Sequence, residues 1–369
     1  MKRALIVSTV GRQFFLFEAA NIRVLKELGY EIHGAANLAN EDRRRLDAVD
    51  ITTHHIRFER GPLSPKNLIA LIELVRLMTR LKPDLVHCHS PVGGVVGRLA
   101  ARLAGVPKVV YTAHGFHFFR GSGARSWATF YPVEWLASFA TDLLITINDE
   151  DYRAAQRLHA GATVLIPGVG VDRGRFGPSR QARDDVRREL GISDDTFVAA
   201  SVGELSRRKN HAATLRGLAL AEAPAHLLLC GVGAEEAGLR ELAAELHVDQ
   251  RVHFLGYRSD IERVCAAADV YVASSRQEGL PISVIEAMFA GLPVLCSDIR
   301  GHRDLVAEGG NGWLFDPAEP RGLARLLDEL AQDSDYRAAL GARSLELAGS
   351  FDLDAVAEEM RQVYRKVTS

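Results

Sequence analysis

Short apolar runs alternate with longer stretches whose apolar residues recur at helical spacing, and the alternation is sustained along most of the chain. In the first half the strand patterns fall at 4–8, 31–35, 51–56, 85–89, 108–112, 143–147 and 163–166. In the second they fall at 197–202, 226–230, 252–255, 270–273, 294–296 and 313–315. Helical stretches lie between them. One covers 15–28 and is closed by Gly29, and another covers 65–81, with Ser64 opening it and Pro65 at its first position. Strands alternating with helices predict parallel sheets covered by helices on both faces, an α/β architecture.

The rhythm breaks once, at "IPGVGVDRGRFGP" (166–178), where four glycines and two prolines mark a domain linker. The expected division is a domain over 1–166, a second over 178–351, and closing helical segments opened by Asp352 or Asp354. Two doubly wound domains in tandem predict a cleft, with ligands held beyond the carboxyl ends of the strands.

Length and composition sharpen this picture. The chain has 369 residues, long for one domain and comfortable for two. With 47% hydrophobic and 25% charged residues it is an ordinary globular sequence, which excludes disordered, collagenous and coiled-coil classes. Four cysteines (Cys88, Cys230, Cys265, Cys296) show no paired spacing, so a reducing cytosol is expected rather than a disulfide or zinc framework. The opening "MKRALIVSTVGR" resembles a signal peptide in charge, but its short apolar run and lack of a small-residue cleavage site read as a first buried strand. No segment approaches the roughly 20 apolar residues needed to span a bilayer, so the expectation is a soluble protein or one lying on a membrane.

The net charge of −2 hides an asymmetry. Residues 1–166 carry 21 Lys+Arg against 15 Asp+Glu, and the remainder is acidic. Compositional scatter or an anionic partner, a phospholipid headgroup or a phosphorylated acceptor, accounts for this equally well. Nucleic acid is not expected.

Candidate chemistry concentrates in "RQEGLPISVIEAM" (276–288). Glu278 falls on a loop at a strand end, Gly279 allows an unusual backbone conformation, and Pro281 sits at the first turn of a helix that carries Glu286. The amides of Leu280 to Ser283 then face outward with the positive helix dipole behind them, a place suited to phosphate. A loop carboxylate for sugar hydroxyls, a helix start for a diphosphate and a deeper carboxylate for a ribose match the three parts of a nucleotide sugar. A solvated turn and an ordinary helix carboxylate fit the same spacing.

The stretch "EGLPISVIEAMFAGLPVLCSD" (278–298) resembles the E-x7-E signature of family 4 retaining glycosyltransferases, which have the two-domain GT-B fold. "HCHSPVGGVVGRLAAR", "YTAHGFHFF", "TDLLITINDEDY", "IPGVGVD", "VGELSRRKNH" and "LGYRSDI" follow the family's order across the chain. The sequence looks most like the bacterial capsule, exopolysaccharide and lipid-linked oligosaccharide enzymes. The resemblance implies two Rossmann-like domains, with the segment 352–369 returning to the first. It implies that Glu278 stabilises positive charge on the donor sugar, that Glu286 binds the ribose, and that Gly279, Leu280 and Pro281 lie along the sugar and diphosphate. Lys209 matches the diphosphate-binding lysine. The arginine that usually follows the glycine is Glu204 here, and Arg207 or Arg208 is the substitute cation.

By the same resemblance Gly233 lets the nucleotide approach the backbone, Tyr257 and Arg258 flank uracil, His114 contacts the transferred sugar, and Gly11 lies near the diphosphate and acceptor. For Tyr257 and Arg258, packing and surface roles fit as well. His87 and His89 share one strand face; with no third ligand evident, one is expected to be buried and the other near the acceptor. "FDLDAV" has the form of a metal-binding D-x-D, but an aspartate before a helical run is more often an N-cap. No metal and no cofactor are expected.

The implied reaction moves a sugar, an N-acetylhexosamine before a plain hexose, from a UDP-sugar to a polyprenyl-diphosphate-linked acceptor. Its implied place is the cytoplasm, at the inner face of the plasma membrane, with residues 168–177 as a hinge. The aromatic segment 116–139 either docks on lipid or packs as core. Two other readings share part of this pattern: a UDP-N-acetylhexosamine 2-epimerase, and a regulatory protein that binds nucleotide sugars without turnover. A nicotinamide dehydrogenase is disfavoured, since no G-x-G-x-x-G follows the first strand.

Overall fold

The computed structural model describes residues 2–59, 61–62 and 64–368. The chain forms two units. The first runs to Gly170 and takes in the segment from Leu353 onward, and the second is Val171–Asp352.

The first unit is built on β1 (Lys2–Val10), β2 (Tyr30–Asn37), β3 (Thr52–His55), β4 (Leu85–His89), β5 (Lys108–Ala113), β6 (Leu143–Thr146) and β7 (Ala162–Leu165). They pair in the order β3-β2-β1-β4-β5-β6-β7, all parallel. Because strand side chains alternate, Ala4 and Ile6 of β1 enter one core and Leu5 and Val7 the other. The first core is completed by Val356, Met360 and Tyr364 of the helix Leu353–Thr368, which lies against the helix Ala19–Glu27.

The second unit repeats the plan with β8 (Val198–Val202), β9 (His226–Cys230), β10 (Val252–Gly256), β11 (Val270–Ala273), β12 (Val294–Ser297) and β13 (Gly312–Phe315). Their order is β10-β9-β8-β11-β12-β13, again parallel. In each sheet the order reverses direction at one place, between β1 and β4 and between β8 and β11. A crevice opens there past the strand ends.

Among the described residues, thirteen strands stand within a few residues of the apolar runs, but two helices differ from expectation. The stretch 15–28 is not one helix: Arg12–Phe17 and Ala19–Glu27 are separated at Glu18, whose φ of −105° and ψ of 10° break the ladder. A buried carboxylate bonded to side chains of both helices holds the break. Ser64 does not cap Lys66–Leu81 with its hydroxyl. Pro65 is the N-cap, and Ser64 contributes its carbonyl to the Asn67 amide at 3.0 Å. Among the described residues no helix is long and apolar enough to cross a membrane, and the four cysteines are free and buried.

Candidate active site

In the second unit β11 leads through Ser274 and Ser275 to Glu278, and the loop after β8 supplies Arg208 and Lys209. These segments meet where the strand order reverses. Glu278 is buried. Its Oε1 accepts hydrogen bonds from Ser275 Oγ (2.8 Å) and Lys209 Nζ (2.9 Å), and its Oε2 lies 2.9 Å from Arg208 Nη1. Burial opposes ionisation, but the charges of Lys209 and Arg208 and the hydrogen bonds from Lys209 and Ser275 outweigh it. The carboxyl is held below its ordinary range. Arg300 Nε donates to the Glu278 carbonyl at 3.1 Å, fixing the backbone beneath.

Past Glu278 the chain enters the helix Ile282–Phe289. Its N-cap is Pro281 (φ −79°, ψ 111°), and the helix's own bonding begins with the Val284 amide to the Pro281 carbonyl at 3.1 Å. Gly279 and Leu280 run into this helix start. Gly279 does not use the backbone freedom its type allows, having no positive φ. The strained position is Gly301 (φ +82°), where a Cβ would stand 2.4 Å from the Gly279 carbonyl oxygen. Glu286 lies one turn into the helix, and burial pushes its carboxyl up to about 7.

The structure separates the two candidate arginines. Arg208 faces Glu278 and also donates to the Gln277 carbonyl at 3.1 Å, whereas Arg207 is 91% exposed and lies 3.5 Å from Glu235. Glu204 points to solvent. At Gly233 a Cβ would fall 2.2 Å from the Leu205 carbonyl oxygen, so its missing side chain makes room for protein backbone. Tyr257 is 68% exposed, and Arg258 is held by Asp260 at 2.6 and 2.8 Å.

In the first unit His114 follows β5, and Gly11 follows β1 with its amide bonded to Asn37 O at 3.1 Å. His87 is a buried structural residue: Nδ1 lies 2.7 Å from the Tyr364 hydroxyl and Nε2 2.7 Å from Thr112 Oγ1. His89 is buried as well, with Nδ1 3.0 Å from His114 Nε2 and 3.1 Å from Glu18 Oε1. Glu18 accepts from Gln13 Nε2 (2.8 Å) and Asn21 Nδ2 (2.7 Å).

Sequence reasoning missed Glu18, Gln13 and Asn21: a helix read through 15–28 makes Glu18 and Asn21 ordinary helical residues and leaves Gln13 outside it, in the turn after the first strand. Among the described residues, ligand-type atoms of Glu18, His89 and His114 lie within 4.8 Å of one another. The Gln13 amide nitrogen, however, contacts both Glu18 Oε1 and His114 Nε2 (3.3 Å), so a cation entering this group would meet a protein N–H.

Of the rings in segment 116–139, Phe116 and Phe118 are core, while the helix Gly123–Ser138 leaves Trp127, Val133 and Leu136 exposed and Phe139 follows it exposed. The segment is part core and part surface.

Two parallel sheets of one strand order, each with polar residues gathered past its reversal point, define a GT-B glycosyltransferase. The comparisons with known proteins place it within that class. The family model "Glycosyl transferases group 1" matches residues 182–346 and "Glycosyl transferase 4-like" matches 4–148. The putative glycosyltransferase EpsD of Bacillus subtilis is 37% identical over 98% of this chain and 96% of its own. The Escherichia coli UDP-Gal:alpha-D-GlcNAc-diphosphoundecaprenol alpha-1,3-galactosyltransferase is 34% identical over 68% of this chain and 67% of its own. Among solved structures, Anabaena HepE in complex with UDP and glucose has the same fold, with a TM-score of 0.84 at 22% identity, covering 99% of this chain and 100% of that one. The protein belongs to the family 4 glycosyltransferases and is a glycosyltransferase.

Proposed function

We propose that the protein transfers a sugar, with retention of anomeric configuration, from a UDP-sugar to a polyprenyl-diphosphate-linked saccharide. The observation that carries this reading is the ionised Glu278 held between Lys209 and Arg208 beside a helix start. A donor diphosphate entering here takes up both cations, and the released carboxylate faces the sugar ring as positive charge builds on it. Lys209, Arg208 and the helix amides then stabilise the departing nucleotide. The acceptor hydroxyl attacks from the face the diphosphate leaves, and the diphosphate oxygen takes its proton, so no side-chain nucleophile is needed.

In this reading the leaving group is neutralised by side chains and amides, without a metal ion or other cofactor. Glu286 takes the ribose hydroxyls, Gly279, Leu280 and Pro281 line the sugar and diphosphate, and Tyr257 lies against the base. His114 contacts the transferred sugar.

An N-acetylhexosamine is the first donor to test. Galactose is the second, since the E. coli relative is named for UDP-Gal and a diphosphoundecaprenol acceptor. The helices Lys66–Leu81, Pro91–Leu103 and Gly123–Ser138 pack in sequence and expose Leu68, Ile69, Ile72, Leu99, Leu103 and Leu136, the surface we assign to the lipid carrying the acceptor. The relatives named above are transferases, which favours transfer over epimerisation or donor binding without turnover.

Nucleotide release from UDP-, GDP- and ADP-sugars, with and without polyprenyl-diphosphate-linked monosaccharide and with chelator present, tests the reading. Acceptor-dependent release of UDP and an anomeric configuration in the product matching the donor are expected. Release that requires a divalent ion, or an inverted product, overturns the corresponding part.

A further inference from the structure

We propose that Gln13 and His89, anchored by Glu18, are positioning residues that fix His114 as the neutral tautomer carrying its proton on Nδ1. His114 then offers an N–H donor, not a bare nitrogen, at the end of β5.

The argument is an accounting of protons. Glu18 is fully buried at the break between two helices, and four nitrogen contacts converge on this group: Gln13 and Asn21 amides on Glu18, and Gln13 and His89 on His114. An ionised carboxylate accepts only, so it turns the Gln13 amide nitrogen toward itself, and the same nitrogen then faces His114 Nε2 at 3.3 Å. His89 Nδ1 stands between Glu18 Oε1 (3.1 Å) and His114 Nε2 (3.0 Å). A proton on His89 Nδ1 bonds His114 Nε2 and lies beside the Glu18 carboxylate.

The opposite assignment fails at three points. A proton on His89 Nε2 leaves a buried N–H without a partner, since that atom has none. A bare His89 Nδ1 leaves its lone pair 3.1 Å from a carboxylate oxygen. A proton on His114 Nε2 meets the Gln13 N–H head on.

With Nε2 receiving from two donors, the His114 proton belongs on Nδ1. Burial keeps both imidazoles neutral at physiological pH, with His114 down to about 4 and His89 held well below its ordinary value, which a tautomer requires. Burial also pushes Glu18 up to about 7, against the hydrogen bonds from Gln13 and Asn21, so the anchoring anion forms near neutrality.

The meaning for catalysis rests on the reading of His114 as the contact to the transferred sugar. An Nδ1–H donor there bonds a hydroxyl oxygen of the sugar.

The test is the long-range proton–nitrogen spectrum of the full chain labelled at histidine nitrogens, with the His114 signals assigned by their loss in His114→Asn. Above the Glu18 carboxyl's value of about 7, where the anchoring anion is formed, the expected result is a protonated Nδ1 and a bare Nε2 in the wild type. In Gln13→Met and in Glu18→Gln the expected result is a population of the other tautomer, with kcat reduced about tenfold for one misdirected hydrogen bond. A wild-type His114 protonated on Nε2, or a tautomer unchanged in both variants, overturns the inference. Gln13→Met leaves Glu18 in place, so it reports even if the Glu18 variant does not fold. A confirmed tautomer together with a fully active His114→Asn would instead overturn the sugar-contact reading and leave the positioning network standing.

Discussion

Lys209 and Arg207 stand two positions apart in a basic run, and the structure gives them opposite fates. Lys209 reaches the buried Glu278, and Arg207 extends into solvent. Lys209→Ala and Glu278→Gln are therefore expected to lower acceptor-dependent nucleotide release by about 10²-fold or more with an unchanged circular dichroism spectrum, while Arg207→Ala stays within about twofold. Full activity in Glu278→Gln would sink the assignment. Glu204→Arg is expected to be tolerated, since that side chain already faces water.

Glu286 carries a pH signature of its own. Its carboxyl rises from 4.5 to about 7 on folding, chiefly through burial, so its contribution to stability is fully present below pH 4.5 and is lost as pH rises through 7. Glu286→Gln has no such dependence. Between those limits the stability of the variant relative to wild type should rise by up to about 3 kcal/mol, read as a growing gap in melting temperature. A constant gap across the range would refute the buried-carboxylate assignment.

At the scale of elements, the helix Pro91–Leu103 shows how closely the local pattern constrains packing. "GGVVG" brings three glycines to one face: a Cβ at Gly93 would stand 2.9 Å from the Thr9 amide, one at Gly94 2.4 Å from the Tyr111 ring, and one at Gly97 2.7 Å from Cys88 Sγ. Gly94→Ala is expected to cost about 1–3 kcal/mol in urea denaturation, because the buried ring has nowhere to go. The exposed face of Gly123–Ser138 predicts a different effect. Leu136 is 63% and Phe139 56% exposed, so Leu136→Asp with Phe139→Asp should leave stability within about 0.5 kcal/mol and reduce co-sedimentation with anionic vesicles. Unchanged sedimentation would remove this helix from the lipid-facing surface.

The strands and the Glu278 loop were legible in the sequence because both are local signals: an apolar run, then glycine and proline at fixed offsets before a helix. Arg208 and Arg207 were not separable, since adjacent residues of one type differ only in the direction the loop sends them. The Glu18 network was invisible for another reason. Its members meet across 71 and 96 positions of sequence, and the carboxylate at the helix break is buried against those distant partners. At Gly233 the glycine signal of close approach is met by the Leu205 carbonyl, a partner 28 positions away that the local sequence does not reveal.

For the molecule as a whole, the first unit is discontinuous in sequence, and its final helix is added only after the entire second unit has been specified. Until Tyr364 arrives, His87 Nδ1 lacks its partner and the core formed by Ile6, Ile22 and Leu25 lies open along one side. Tyr364→Phe should therefore destabilise the protein by about 1–3 kcal/mol, read as a lowered midpoint in thermal melting. On the ribosome the consequence is one of timing. The domain synthesised first is finished last, so a nascent chain carries an unsealed apolar flank throughout translation of the other domain. A premature stop just after residue 352 would release a polypeptide whose second unit is complete and whose first exposes that apolar flank, so a usable product depends on the segment Leu353–Thr368.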